Sequence, residues 1–378
     1  MTEIFLTVFF ISILLFFLGT GIWVAISMIG VSALGMMFFT SRPVGDAMAT
    51  TIWGTSSSWT LTALPLFVWM GEILFRTKLS ENLFEGLSPW MQKLPGGLIH
   101  VNVVGCALFA AISGSSAATV ATVGKMSIPE LRKRNYPEKI LLGSLAGSGT
   151  LGLLIPPSII LIIYGVTVQE SIAKLFIAGI IPGIMIAIIF MLYVIVWSLI
   201  NKKIMPETFE NFSFFEKVKR SKQLIPVILL ILSVIGSIYT GIATATEAAS
   251  LGVVGALILS YFQKSLSLET FKKSLLGATK TSCMIAFILA GSSFLSLAMG
   301  FTGLPRNLAI WIENMDLSPY ILIMVLMIFY IILGMFLDGI SAVVLTMAII
   351  EPMIRQAGFD MIWFGIFLVV VVEMAQIT

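Results

Sequence analysis

Apolar residues run along this chain in long blocks, with polar residues gathered between the blocks rather than alternating within them. The blocks cover roughly 4–18, 22–39, 58–75, 98–112, 139–168, 172–200, 224–243, 248–262, 281–300 and 319–337, with less uniform stretches at 340–350 and 361–377. A block of about 20 apolar residues spans the hydrocarbon core as a helix, and open strands leave their backbone unbonded in lipid, so the pattern predicts helices throughout. The long polar interruptions are few: 76–97, 131–139, 201–223 and 263–280. The expected fold is an all-α polytopic membrane protein.

Composition agrees and removes other classes. Of 378 residues only 11% are charged, 22 Lys+Arg against 19 Asp+Glu, and 58% are hydrophobic. A soluble domain carries about 25% charged residues. The single histidine, His100, excludes a multi-histidine metal site, and Cys106 and Cys283 both sit in apolar stretches, so no disulfide framework is expected. A net charge of +3, scattered along the chain, does not fit nucleic-acid binding. No basic segment precedes the first apolar block, as a cleavable signal peptide would require.

Cytoplasmic loops collect Lys and Arg. Arg76, Lys78 and Lys93 mark one such loop, and Arg132, Lys133, Arg134 and Lys139 a second. Lys202, Lys203, Lys217, Lys219, Arg220 and Lys222 mark a third, and Lys264, Lys272 and Lys273 a fourth. Counting back from these loops puts the N-terminus outside. The apolar stretch 98–129 then begins and ends in the cytoplasm, and its middle is the small, polar run Ser113-Gly114-Ser115-Ser116-Ala117-Ala118-Thr119. Two half-helices meeting at that run form a re-entrant hairpin, which is tolerated where it is buried in protein or lines a cavity.

The hairpin has a distant echo. Pro129 and Arg132 align with Pro352 and Arg355 at an offset of 223, and Gly114 and Ser116 fall near Gly339 and Ser341 with a shift of two more. Residues 319–351 are therefore expected to form a second hairpin, and 361–378 the first half of a second broken helix. The first connector holds four basic residues and the second holds Arg355 with Asp360, as expected if the second hairpin enters from the opposite side. Inverted repeats, broken helices and a midplane site characterise secondary transporters. By the same offset a second Pro-Pro break and its completing half-helix are expected beyond Thr378.

The stretches "SGSSAATVATVGKMSIPEL", "GSGTLGLLIPPSIILIIYG", "AGIIPG", "GIATATEAASLG" and "FLDGISAVVLTMAIIEPM", in this order, resemble the large membrane subunit of tripartite ATP-independent periplasmic (TRAP) transporters. The resemblance covers essentially the whole chain. It implies an elevator-type secondary transporter driven by sodium, with no covalent cofactor. It also implies two partners, a small four-helix membrane subunit and a soluble periplasmic substrate-binding protein. The implied cargo is a small organic acid such as a C4-dicarboxylate, a 2-keto acid or sialic acid, and the implied location is the bacterial or archaeal inner membrane.

Sodium is a hard cation that takes oxygen ligands, and an unwound helix supplies them as backbone carbonyls and Ser or Thr hydroxyls. Gly114, Ser115 and Ser116 at the first tip suit this, as do Ser148, Gly149 and Thr150 ahead of the break at Pro156-Pro157. Tight helix packing is the competing role for such small residues. By the repeat, Asp338, Gly339, Ser341, Glu373, Met374 and Thr378 supply a second site. Half-helix N-termini offer unpaired N–H groups and a favourable dipole to an anion, so substrate is expected against Ser115, Ser116, Gly339 and Ser341.

Burying a charge is expensive, which makes Asp338 and Glu373 functional candidates. Each can tune the second cation site or bond unwound backbone, and the residues leave both roles open. Glu247 is expected to cap the helix after Thr246, while Glu72 and Glu351 are expected to be solvated at membrane boundaries. A proton relay at His100 is the weaker reading.

These readings divide the chain into scaffold helices (1–97), a first hairpin and broken helix (98–168), further scaffold with a cytoplasmic loop and arm (169–280), and a second hairpin with part of a broken helix (281–378). Segments 43–57 and 265–273 suit arms lying along the interface or plain loops. The rival function in the same class is a stand-alone divalent-anion/sodium symporter without a binding protein. An intramembrane enzyme using Asp338 and Glu373 has no recognisable catalytic motif, so no enzymatic activity is expected, and a channel is the remaining alternative.

Overall fold

The structure is a computed structural model that describes residues 2–377 except 78, 207–211, 223, 306, 308, 309, 311–317 and 336, with backbone alone for 2–4 and 79–81. The described residues are helical with no strand. The N-terminal part comprises α1 (Thr2–Gly19), α2 (Val24–Phe39), α3 (Val44–Ser56), α4 (Ala63–Phe75) and α5 (Leu79–Met91). The centre comprises α6 (Ile99–Ser113), α7 (Ser116–Lys133), α8 (Glu138–Gly149), α9 (Ile159–Thr167) and α10 (Ile172–Ile200). Then follow α11 (Phe214–Ser221), α12 (Ile225–Tyr239), α13 (Ala245–Phe262) and α14 (Leu268–Thr302). The last three are α15 (Pro319–Gly334), α16 (Gly339–Gln356) and α17 (Met361–Ile377).

The apolar blocks reappear as these helices almost end for end, because in a chain this apolar only an internally bonded backbone is stable in lipid. The polar interruptions are helical too. Residues 76–97 contain α5, 201–223 contain α11, and 43–57 form α3, bent by 52° from the Trp59–Phe75 segment. The stretch 263–280 is a tight turn at Lys264 (φ +52°) followed by α14, whose cap Ser267 accepts the Thr270 N–H at 3.0 Å. At 35 residues, α14 is about 52 Å long, well beyond the ~30 Å hydrocarbon core. Its first turns, with the Lys273–Glu269 pair, therefore extend out of the apolar layer. Glu247 does cap α13, in a reciprocal box in which Thr244, rather than Thr246, is the cap residue.

Two packed groups of helices emerge. In one, α14 packs on α2, α3 and α4, and α13 on α4 and α12. In the other, α6, α7 and α8 pack on one another, α10 lies against α6, α9 and α17, and α15 and α16 pack on α17. The groups meet where α4 touches α6 and α9 and where α14 touches α16 and α9. The outer face of α10 carries exposed Ile181, Ile184, Ile188, Leu192 and Val196, the surface a lipid-facing helix needs.

The internal repeat is visible in the helix boundaries. α7 and α16 each hold 18 residues and start at 116 and 339; α8 and α17 start at 138 and 361. Both pairs keep the 223-residue offset of Pro129 and Pro352. Their caps correspond as well: the Ser115 side chain accepts from the Ala118 N–H, and the Asp338 side chain from the Ser341 N–H. The tips therefore align without the extra two-residue shift read from the sequence, so that Ser115 matches Asp338 and Ser116 matches Gly339.

Candidate functional site

α6 stops because Gly114 takes the left-handed conformation (φ +59°), which non-glycine residues adopt only at a cost. A Cβ there would stand 2.6 Å from the Pro157 carbonyl oxygen, so only glycine fits. The Gly114 carbonyl accepts the Ile159 N–H at 3.3 Å. Ser115 caps α7, and its carbonyl accepts the Thr119 hydroxyl at 2.8 Å, while the Ser113 and Thr119 hydroxyls meet at 2.9 Å.

This tip lies on a break in the following helix. α8 passes at Thr150 into a single 3-10 turn ending at Leu153, and a cis Pro156–Pro157 bond follows. Neither proline has an N–H to continue a helix, and Ile155 is disfavoured from helical geometry by the proline after it. Ser158 restarts the chain as α9, accepting the Leu161 N–H at 3.3 Å and donating its hydroxyl to the Leu153 carbonyl. Gly152 sits so close to the tip that a Cβ would be 2.8 Å from the Ser115 carbonyl and 2.9 Å from the Ser116 nitrogen.

Of the residues expected at the first cation site, Thr150 opens the turn whose Gly152 meets the tip, while the Ser148 hydroxyl turns to the Asn102 carbonyl of α6 at 3.4 Å. Ser148 is buried and donates to the Ser144 carbonyl at 2.6 Å, and Thr150 donates to the Gly147 carbonyl at 2.8 Å. Each hydroxyl oxygen retains lone pairs for a cation. Ser113 and Thr119 belong to the tip and were passed over in the sequence, although both stand inside the Ser113–Thr119 string.

The second set is divided between two contacts. Gly339 abuts Val372 and Gln376 of α17, each 2.8 Å from where its Cβ would be, and Ser341 is buried behind it. Asp338 is exposed and caps α16 through the Ser341 N–H at 3.2 Å. Glu373 is 3% exposed, and its carboxyl meets the backbone of Leu154 in the first helix's break. Its Oε1 has no hydrogen-bond partner among the described residues. Successive residues on a helix point about 100° apart, which turns Glu373 toward the first break while Val372 faces the second tip. Met374 is exposed, and Thr378 lies outside the described residues.

A cavity of about 260 Å³ lies between the first tip and α4, lined among others by Ser113, Ser115, Gly71, Glu72, Ile159 and Thr281. Glu72 is not a freely solvated boundary residue. Its carboxylate accepts from Arg76 Nε and Nη2 at 3.1 and 2.9 Å, and Gly277 of α14 leaves the space it occupies. This environment is invisible in the linear pattern, because it depends on α4, α14 and the tip meeting. Glu351 pairs with Arg355 at 2.9 Å. His100 is buried at the start of α6, with Nε2 2.8 Å from the Pro95 carbonyl oxygen, a local bond that suits packing.

The opposite ends of the two hairpins touch different loops. Arg355, in the last turn of α16, bonds the Val168 carbonyl at 3.1 Å and lies 3.5 Å from Glu170. The Tyr136 hydroxyl, after α7, instead accepts the Leu98 N–H at 3.1 Å.

The family model for the DctM component of tripartite ATP-independent periplasmic transporters matches residues 11–378. The chain is 32% identical over 348 residues to a C4-dicarboxylate TRAP transporter large permease of Pseudomonas aeruginosa, covering 92% of this chain and 80% of that protein. It is 30% identical over 353 residues to the 2,3-diketo-L-gulonate TRAP large permease of Escherichia coli, covering 91% and 80%. To the sialic acid TRAP large permease of Vibrio cholerae it is 29% identical over 350 residues, covering 92% and 81%.

Proposed function

The chain belongs to the DctM component family of tripartite ATP-independent periplasmic transporters, and from that premise we propose that it imports a small organic acid by sodium symport. It is a multi-pass membrane subunit of a transporter family, not an enzyme. In the proposed cycle a periplasmic binding protein delivers the acid, and a small four-helix subunit braces the group containing α2–α4 and α12–α14.

The observation that carries the reading is the seating of the first tip on the helix break, with Gly114 bonded to Ile159 and Gly152 against Ser115. Carbonyls of the break, together with the hydroxyls of Ser115, Ser148 and Thr150, hold one sodium ion there. Gly339 and Ser341 with the end of α17 hold a second, and Glu373 ties α17 to the first break. The N-terminus of α7 presents N–H groups to the substrate carboxylate in place of a buried lysine, while that of α16 already carries the capping Asp338 carboxylate.

The hairpin group then slides as a rigid body along α4 and α14. Here the tip stands beside Gly71 and Glu72, about one and a half turns from Arg76, which the charge pattern puts at the cytoplasmic end. The structure in this reading is the inward-facing end state. Hairpins entering from opposite sides accord with Arg355 meeting the Val168–Glu170 turn while Tyr136 meets Leu98.

Sodium activation of uptake in proteoliposomes tests the assignment. Ser148→Ala and Thr150→Val each delete an oxygen ligand, and each is expected to raise the half-saturating sodium concentration about tenfold, the effect of ~1.4 kcal/mol. Sodium curves that superimpose on the parent's would remove these residues from the site.

A further inference from the structure

A larger cavity, of about 460 Å³, opens at the other end of the first hairpin, between α5, α7 and the segment entering α11. Lys125, Arg134 and Arg220 line it with Glu85 and Glu130. Glu130 is also paired with Lys133, at 3.0 Å. Lys125 is exposed and has no ion pair to a described residue.

Beside the cavity, α11 reads FFEKVKRS, with Lys217, Lys219 and Arg220 followed by Lys222. Its apolar residues are not packed away: Phe214, Phe215 and Val218 are 72%, 77% and 40% exposed. α11 is turned 58° from the apolar α12 that follows it, so when α12 crosses the bilayer α11 lies toward the membrane plane. Contacts fix it there. Trp90 Nε1 donates to the Ser221 hydroxyl at 2.8 Å, Lys217 lies 5.4 Å from the Trp90 ring, and Arg220 stacks 4.4 Å from the Phe212 ring.

We propose that this cavity and α11 together bind the headgroup of an anionic phospholipid from the cytoplasmic leaflet. Lys125 of the cavity with Lys217, Lys219 and Arg220 of the helix selects a phosphate bearing net charge over a zwitterionic headgroup. The exposed Phe214, Phe215 and Val218 supply the apolar surface that acyl chains contact and a soluble phosphate does not need. The site is separate from the tip and independent of which organic acid is carried.

The test uses the purified full chain in detergent, with bound lipid counted by native mass spectrometry. The probes are phosphatidylglycerol, phosphatidylcholine and glycerol 1-phosphate. Phosphatidylglycerol is expected to bind in preference to phosphatidylcholine, and the doubly substituted Lys125→Gln/Arg220→Gln protein to lose affinity about fivefold for each cation removed. Lys202→Gln/Lys203→Gln, which removes the same charge elsewhere in the loop, is expected to leave binding unchanged. The conservative Lys125→Arg/Arg220→Lys protein should retain it, which separates a lost site from a misfolded one. Equal binding of the two lipids, or an unchanged preference in the Gln variant, would overturn the proposal. Glycerol 1-phosphate binding as tightly as the lipid would also overturn it, by assigning the cavity to a soluble phosphate ester.

Discussion

Gly152 carries no side chain, and a Cβ there would stand 2.8 Å from both the carbonyl carbon and oxygen of Ser115. Backbone cannot yield as a flexible side chain does, so Gly152→Ala must push the first tip off the helix break. Overpacking of this kind costs ~1–3 kcal/mol. The variant is expected to melt at lower temperature and to need more sodium for half-maximal uptake, both read on one preparation. An unchanged sodium requirement would separate the tip contact from cation binding. At this scale the tip and the helix break were legible, because Gly114, Ser115 and Pro156-Pro157 are residue types that end or break helices. What could not be read was which groups already had partners. Asp338 is one case: the expense of burying a carboxylate marked it as a candidate, yet it is exposed and caps α16. Glu72 is another, since its cavity exists only once three distant segments meet.

The elements were mostly written in the hydrophobic pattern, and the departures have local causes. α14 extends through a polar stretch because Ser267 caps it and Glu269 and Lys273 pair one turn apart. α11 is an amphipathic helix of eight residues, too short and too charged to stand out against the apolar blocks. Capping is testable at α13. Thr244→Ala removes an acceptor for the Glu247 N–H and a hydroxyl that donates to the Glu247 carboxylate at 2.8 Å. The expected loss is about 1 kcal/mol, seen as a modest fall in melting temperature with sodium-driven uptake retained. Loss of uptake at unchanged stability would instead assign Glu247 a part in transport.

For the molecule as a whole, the 223-residue offset organises more than the two prolines that first showed it, since helix starts and caps follow it as well. Movement of the hairpin group against α4 has a direct mechanical test. The Cβ position of Gly71 is 3.1 Å from the Ser113 Cα, within reach of a disulfide. In a background lacking Cys106 and Cys283, the Gly71→Cys/Ser113→Cys pair should crosslink on oxidation, stop uptake, and recover it on reduction. Crosslinked protein that still transports at the parent's rate would contradict sliding at this contact.

The central claim is that sodium and a delivered organic acid move together through this subunit. The most direct measurement is uptake of labelled C4-dicarboxylate, 2-keto acid and sialic acid into proteoliposomes holding the subunit with its small membrane partner. Uptake is compared with and without an inward sodium gradient, and with and without the cognate periplasmic binding protein. The account predicts uptake of one of these acids only when gradient and binding protein are both present. Sodium-driven uptake that proceeds at the same rate without the binding protein would contradict it, in favour of a stand-alone symporter.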